Sequence, residues 1–288
     1  MGVIWGIPYL LIKVAVRAVE PSVLVLARTG VGAIVLVPIA ARRDELRPVL
    51  ARWRPLVVYT AVEIAGPWLL LSTAEQRISS SLAGLLIAAV PLVGAVVSLA
   101  LRDAQDVNAR MVGGLVVGVA GVAALVGLDV RGSNMGSVAM IGVVAVCYAV
   151  GPVILVRTLS DLPSLGVVAA SLALCCAVYV PIGVAQWPSR APGARPLLAL
   201  ITLGVVCTAL AFVLFFHLIA EVGPLRATVI TYVNPAVAVT LGVVFLHERF
   251  KASTAVGFAL ILAGSFLATA RRAARADEAP LAAPIPEP

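Results

Sequence analysis

The feature that most constrains this chain is a series of long apolar runs, which short segments with charge, Pro or Gly separate. A helix needs about 20 mostly apolar residues to cross a bilayer, and ten runs approach that length. Numbered in chain order, the predicted spans 1 to 10 cover roughly residues 3–17, 22–41, 55–74, 81–101, 111–128, 136–157, 164–186, 196–219, 225–246 and 253–270. The sequence therefore predicts an all-α polytopic membrane protein with ten transmembrane helices.

The composition excludes most other classes of protein. Apolar residues make up 61% of the 288 residues and charged residues only 12%, with a mean hydropathy of +1.08. Soluble domains carry about 25% charged residues, so a disordered chain, a nucleic-acid-binding domain and almost any water-soluble enzyme are excluded. The net charge of +7 does not indicate a nucleic-acid partner, because the positive residues fall between apolar runs. The expected partners are the lipid bilayer and a small-molecule substrate.

Arginines in the loops predict the orientation of the chain. Five of them lie between residues 42 and 54, after span 2, and positive loops stay in the cytoplasm. We therefore expect a multi-pass protein of the cell membrane with both termini in the cytoplasm. The segment 271–288 ends with four prolines in its last nine residues and is predicted to be a disordered cytoplasmic tail.

Residues that recur at one separation indicate an internal repeat. The separation is 144 residues, half of the chain, and the pairs are Pro8 with Pro152, Lys13 with Arg157, Pro91 with Pro235, and Gly113 with Gly257. Chance in a chain rich in Pro and Gly is the alternative. A true repeat divides the chain into five-helix repeats at 1–130 and 131–270. An odd number of spans inverts the second repeat relative to the first, an arrangement typical of secondary transporters.

Several short motifs carry a resemblance to a known family. They are Trp5-Gly6 in span 1, Pro21 followed by Arg28 in span 2, residues 80–91 in span 4, Asn234-Pro235 followed by His247-Glu248 in and after span 9, and Gly257 and Gly264 in span 10. In this order the chain resembles the EamA family of the drug/metabolite transporter superfamily. It departs from that family after span 4, where Arg102-Asp103 replaces a glutamate. The resemblance implies ten helices and the export or uptake of small metabolites.

Spans 1 and 2 offer candidate residues for a substrate cavity. Trp5, Tyr9 and Lys13 are four residues apart and share one face of a helix. An aromatic pair and a cation suit an anionic or aromatic group, whereas a lysine that reaches the lipid headgroups is the alternative. Arg28 lies deeper, where a charge usually faces the interior of a bundle, either in a pocket or in a buried pair.

Span 3 contributes the candidate proton carrier. Glu63 lies in mid-span, four residues before Pro67 and so on the same face of the helix, with Trp68 adjacent. An acid within a membrane span is commonly part of a proton relay. The alternative is an ion pair between Glu63 and Arg28 that joins two helices.

Spans 6 and 9 complete the predicted cavity from the second repeat. Thr231, Tyr232 and Asn234 form a polar stripe in an otherwise apolar helix, and it lines either the cavity or a contact between helices. Tyr148 approaches the cavity from the opposite half if the repeat holds.

Prolines and small residues within the spans predict bends and close contacts. A proline releases the carbonyl four residues before it, so Pro91 frees that of Ile87 and Pro235 that of Thr231. Hinges or simple packing are predicted at Pro8, Pro67, Pro91, Pro152 and Pro235. Gly114 and Gly118 form a GxxxG motif, which predicts close packing within the bundle or, as an alternative, a homodimer seam.

Missing motifs narrow the function further. The sequence has no GxxxxGK[ST], HExxH or GxSxG motif, and its four cysteines form no CxxC pair. We therefore expect no enzyme, no cofactor and no metal site. The predicted function is a secondary transporter that exports small metabolites, amino-acid-like compounds or drugs by alternating access, with proton coupling as one option. The alternatives are a non-transporting assembly partner and a membrane enzyme that acts on lipid-linked substrates.

Overall fold

The fold is described here from a computed structural model. It describes residues 1–100, 109–129, 134–227, 230–249 and 251–277. Within these ranges all regular secondary structure is helical. The prediction of an all-α chain is confirmed.

Ten helical segments follow the predicted spans closely. Their bounds are Gly2–Ala15, Pro21–Arg42, Trp53–Glu75, Ser80–Ala100, Ala109–Asp129, Met135–Thr158, Ser164–Ala185, 194–227, Ile230–Leu246 and Ala252–Asp277, and they are called spans 1 to 10 below. In the described residues, seven helices are long and apolar enough to cross a membrane, and three shorter apolar helices lie in spans 1, 9 and 10. A short helix, Leu46–Ala51, precedes span 3. The chain is a polytopic membrane protein.

Two helix ends lie beyond their predicted positions. Span 10 continues to Asp277, seven residues into the segment 271–288 that was predicted to be disordered. Alanine and arginine fill most of this extension and favour a helix; residues 278–288 lie outside the described ranges. Span 8 continues to Ala227 rather than to residue 219, and span 9 begins at Ile230.

The two halves of the bundle are inverted relative to each other. Residue Ser22, at the start of span 2, donates a hydrogen bond of 2.5 Å from Oγ to Oε1 of Gln186, which follows the end of span 7. Likewise Ser80, at the start of span 4, contacts Glu248, which follows the end of span 9. Spans 2 and 7, and spans 4 and 9, are the pairs that the 144-residue repeat relates. Each pair therefore runs in opposite directions, as the sequence predicts.

Repeat-related helices also pack against each other. Span 2 packs on span 7, span 4 on span 9 and span 5 on span 10, while span 1 packs on spans 8 and 9 and span 3 on span 6. The largest apolar core contains Ile12, Leu24 and Leu203, which are completely or almost completely buried. Large apolar side chains such as Ile34 and Val116 are exposed, as expected where helices face hydrocarbon rather than water.

Spans 3 and 8 each contain a segment of π-helix, at Ala61–Ala65 and at Val205–Leu210. Their first residues are 144 positions apart, so the two π-helices lie at equivalent positions of the repeat. The first π-helix directly precedes Gly66-Pro67, and the Gly66 N–H donates to the carbonyl of Ala61, five residues back. Sequence reasoning predicted a bend near Pro67 but no π-helix in either span.

Among the other predicted hinge positions, the helix is interrupted at one and continuous at three. Span 4 is interrupted between Ile87 and Val90, just before Pro91. The Ser265 hydroxyl of span 10 lies 3.5 Å from the Ala88 carbonyl, one residue beyond the carbonyl predicted to be released. Pro8, Pro152 and Pro235 lie inside uninterrupted helices.

Glycines allow spans 5 and 10 to approach closely. A Cβ atom added to Gly114 would lie 2.7 Å from the carbonyl oxygen of Gly264, and one added to Gly121 would lie 2.8 Å from that of Gly257. Gly118 meets the side chain of Leu92 in the same way. The GxxxG motif therefore packs within the bundle, and a homodimer seam stays a prediction.

Substitution of Gly114 by Leu should separate spans 5 and 10, because the new side chain has no space. We expect the free energy of unfolding to fall by about 1–3 kcal/mol, and the melting temperature in detergent to fall by roughly 2–10 °C. Gly113→Leu is the matched control, because no atom lies within 4 Å of a Cβ at this neighbouring position. Equal melting temperatures for the two variants would contradict this packing.

Candidate functional site

The centre of the bundle holds a buried cation between spans 2, 3 and 8. Arg28 is 6% exposed. Its Nε donates a hydrogen bond of 2.9 Å to Oγ1 of Thr208, and its Cζ lies 3.6 Å from the ring centroid of Trp68. A cation over the face of an indole ring is electrostatically favourable. These two contacts fix the position and the plane of the guanidinium.

Thr208 reaches Arg28 from the π-helix in span 8. The Thr208 hydroxyl donates to the carbonyl of Leu203, five residues back, at 2.8 Å. The same oxygen then accepts from Arg28. Cys207, next to it, is also within electrostatic reach of Arg28. Sequence reasoning missed both residues, because nothing in span 8 signals a π-helix.

Two tyrosines bring spans 1 and 6 to the same place. Tyr9 is buried, and its ring lies against Gly84 of span 4, where a Cβ would be 3.6 Å away. Electrostatic interactions connect three side chains with one another, those of Tyr9, Tyr148 and Arg28. Tyr148 also lies beside Trp68. Side chains from both repeats therefore surround the guanidinium.

Glu63 lies in the π-helix of span 3, facing span 6. Its carboxyl group occupies the space that Gly151 leaves open, and a Cβ there would overlap Oε2. Oε2 is buried and has no hydrogen-bond partner. Tyr59, Cys147 and Tyr148 are its titratable neighbours. No ion pair joins Glu63 to Arg28 in the described part of the chain, so the predicted alternative of such a pair is wrong.

Lys13 lies apart from this centre. Its Nζ donates to the carbonyls of Glu75, at 2.5 Å, and Ile78, at 2.7 Å, at the end of span 3. A cation is favourable there because it meets the negative end of the helix dipole. Lys13 therefore caps span 3 instead of reaching lipid headgroups. The nearby Glu75 carboxyl is completely buried without a hydrogen-bond partner, and sequence reasoning missed it because it lies next to a polar loop.

The remaining predicted residues lie around span 9 and at one end of span 1. Trp5 contacts an aromatic group on span 8, with its ring centroid 4.7 Å from that of Phe215 and 6.0 Å from that of Phe212. The backbone oxygen of Asn234 lies close to Gly6 in span 1, and Asn234 is half-buried. The side chains of Thr231 and Tyr232 lie outside the described part.

A carboxylate clamp joins the two halves at one end of the bundle. Oε1 of Glu248 accepts from the N–H of Ser80 at 2.8 Å and from its hydroxyl at 3.0 Å; Oε2 accepts from the N–H of Ser81 at 2.9 Å and from its hydroxyl at 2.5 Å. His247 has a φ of 55°, which ends span 9 and turns the chain toward span 4. Gly242 leaves room, because a Cβ there would meet Glu248 and both serines.

A salt bridge joins the halves at the opposite end. Arg52, just before span 3, makes two hydrogen bonds of 2.7 Å with the carboxylate of Asp161, which lies between spans 6 and 7. The clamp at Ser80 follows the far end of span 3, so the two links lie at opposite ends of the bundle. Five of the ten predicted cavity residues, namely Tyr9, Arg28, Glu63, Trp68 and Tyr148, meet between these links.

Comparison with known proteins gives consistent matches over nearly the whole chain. The family model described as "EamA-like transporter family" matches residues 1–127 and again 135–270. The chain is 25% identical over 248 residues to the uncharacterized inner membrane transporter YedA of Escherichia coli K12, covering 83% of this chain and 78% of YedA. It is 24% identical over 268 residues to the uncharacterized transporter YvbV of Bacillus subtilis, covering 90% and 86%. One solved crystal structure, 22% identical, shares the fold with a TM-score of 0.64 over 93% of this chain and 96% of that chain.

Substitution of Thr208 by Val should destabilise the bundle through two lost hydrogen bonds, since both Arg28 Nε and the Leu203 carbonyl lose their partner. We expect a loss of about 1–3 kcal/mol, measured as a lower melting temperature in detergent. Thr29→Val is the control: Thr29 is equally buried, and its hydroxyl donates to carbonyls of its own helix and contacts the thiols of Cys175 and Cys176 rather than a charged group. A control that loses as much stability as Thr208→Val would show that the contact with Arg28 contributes nothing.

Proposed function

The chain belongs to the EamA-like transporter family, and we propose that it is a secondary transporter that exports small metabolites, amino-acid-like compounds or drugs by alternating access. One observation carries this proposal: a buried group of charged and aromatic side chains lies between two inverted halves. Inverted halves that exchange conformations expose one site to each side of the membrane in turn.

Two of the contacts between the halves, at opposite ends of the bundle, support this mechanism. The Glu248 clamp holds one end together and the Arg52–Asp161 salt bridge holds the other. Release of one link while the other holds opens the centre to one side only. With the termini in the cytoplasm, as the arginine-rich loop after span 2 predicts, the salt bridge is on the cytoplasmic side and the Glu248 clamp is on the outer side.

Glu63 is the proposed proton carrier. It has a buried oxygen without a hydrogen-bond partner and lies beside Tyr148, which faces Arg28. A carboxyl group that no cation neutralises is the kind of group that takes up and releases a proton during a transport cycle. The sequence has no ATP-binding loop, so ion or solute gradients would drive the flux.

The proposal is tested by flux into liposomes that contain the purified protein. A panel of radiolabelled amino acids, organic acids and drugs is offered with and without a pH gradient, and empty liposomes serve as the control. We expect protein-dependent flux of at least one compound. Absence of flux for every compound would favour a non-transporting assembly partner instead.

Substitution of Glu63 by Gln should remove the pH dependence of flux, because an amide of similar size cannot exchange the proton. We expect flux of the variant to change less than about twofold between pH 5.5 and 8 while wild-type flux changes by about tenfold per unit where one proton controls it. Glu20→Gln, an exposed acid in the loop after span 1, is the control. If E63Q keeps the wild-type pH profile, Glu63 does not carry the proton.

A further inference from the structure

Arg28 is a buried cation that no acidic side chain neutralises. A guanidinium stays protonated in proteins, and this one is 6% exposed. Among the described residues, no carboxylate lies within ion-pair distance of it, and the Glu63 carboxyl occupies the notch at Gly151 instead. A single buried charge is strongly unfavourable in a bilayer unless something else compensates for it.

The contacts of Arg28 leave its terminal amino groups available. Thr208 accepts from Nε, and Trp68 covers one face of the guanidinium. Within the described ranges neither Nη1 nor Nη2 donates a hydrogen bond to a protein group. The two terminal nitrogens form the planar fork that binds both oxygens of a carboxylate. Thr208 and Trp68 thus orient the guanidinium and leave its two terminal nitrogens free to donate hydrogen bonds.

At the guanidinium itself the surroundings favour one negative charge and an apolar body, because Glu75 and Glu63 lie near Tyr9 and Tyr148 and not near Arg28. Arg28 is the only cation that faces this centre in the described structure, since Lys13 is held by two carbonyls at the end of span 3. One cation balances a monoanion and not a phosphate dianion. The hydroxyls of Tyr9 and Tyr148 are donors of the kind that suits a carboxylate, while the ring of Trp68 offers an apolar face.

We infer that Arg28 anchors the carboxylate of the transported compound, and that the substrates are small monocarboxylates with an apolar or aromatic body. This inference rests on the proposed transport function and specifies its substrate class. Arg28 then acts as the group that selects for charge, Thr208 and Trp68 position it, and the two tyrosines complete the site.

The test measures the melting temperature of the purified full-length protein in detergent with matched pairs of compounds. Each pair is a carboxylate and its neutral amide: phenylacetate with phenylacetamide, 4-methylvalerate with 4-methylvaleramide, and N-acetylphenylalanine with its amide. We expect at least one carboxylate to raise the melting temperature in a saturable way while its amide does not. No stabilisation by any carboxylate up to 10 mM, or equal stabilisation by carboxylate and amide, would overturn the inference.

Three variants then assign the effect to Arg28. R28Q should raise the dissociation constant of the stabilising carboxylate by about tenfold to a hundredfold, and R28K by less, because it keeps the charge but loses the fork. K13Q, which removes a second cation inside a span, should leave the dissociation constant unchanged. If R28Q does not fold, R28K and K13Q still decide: an unchanged dissociation constant in R28K, or a raised one in K13Q, would contradict the assignment.

Flux in liposomes separates this inference from the proposed function. Transport of amides as readily as carboxylates, in wild type and R28Q alike, would leave the transporter assignment intact and exclude the anchor. Lack of flux for every compound would contradict the transport function itself. Carboxylate-selective flux that R28Q abolishes is the expected result.

Discussion

Inside a bilayer, each backbone carbonyl that a helix releases must find another donor, because no water is available. Side chains meet this requirement where the spans of this bundle are interrupted. Side-chain hydroxyls donate to carbonyls at or beside each interruption, and the pairs are Tyr179 with Ala65, Thr208 with Leu203, and Ser265 with Ala88. The first and the last of these donors come from a neighbouring helix, so the irregular backbone is also what connects the spans at the centre.

The same interruptions place the chemistry of the site. The Thr208 hydroxyl donates to the Leu203 carbonyl of span 8 and at the same time accepts from Arg28. Glu63 lies in the matching π-helix of span 3. Repeat-related positions carry different groups, since Cys207 is 144 residues after Glu63. The two π-helices therefore have similar backbones, but only the one in span 3 carries an acid at this repeat position, namely Glu63. This asymmetry fits the proposed proton role of Glu63, while Thr208 of the other half contacts the cation.

Hydropathy and the 144-residue repeat were enough to predict the spans and their inversion, because both depend on composition and local pattern. Tyr9, Arg28, Glu63, Trp68 and Tyr148 were also predictable, since polar or aromatic residues are conspicuous inside apolar runs. Their partners were not. The Glu248 clamp and the Lys13 cap join residues more than 60 positions apart. Span 8 has Ala211 at the position where span 3 has Pro67, so no proline marks its π-helix in the sequence.

The links at the two ends of the bundle are unequal, and this inequality bears on the direction of transport. Arg52 and Asp161 have side chains that are 46% and 59% exposed, and an ion pair in water contributes at most about 1 kcal/mol. Glu248 instead accepts four hydrogen bonds at a half-buried position, two of them from the N–H groups at the start of span 4, where the helix dipole adds to the attraction. Release of the salt bridge alone therefore costs less than release of the Glu248 clamp. Under the proposed transport mechanism and orientation, this difference favours release of the cytoplasmic link before the outer one.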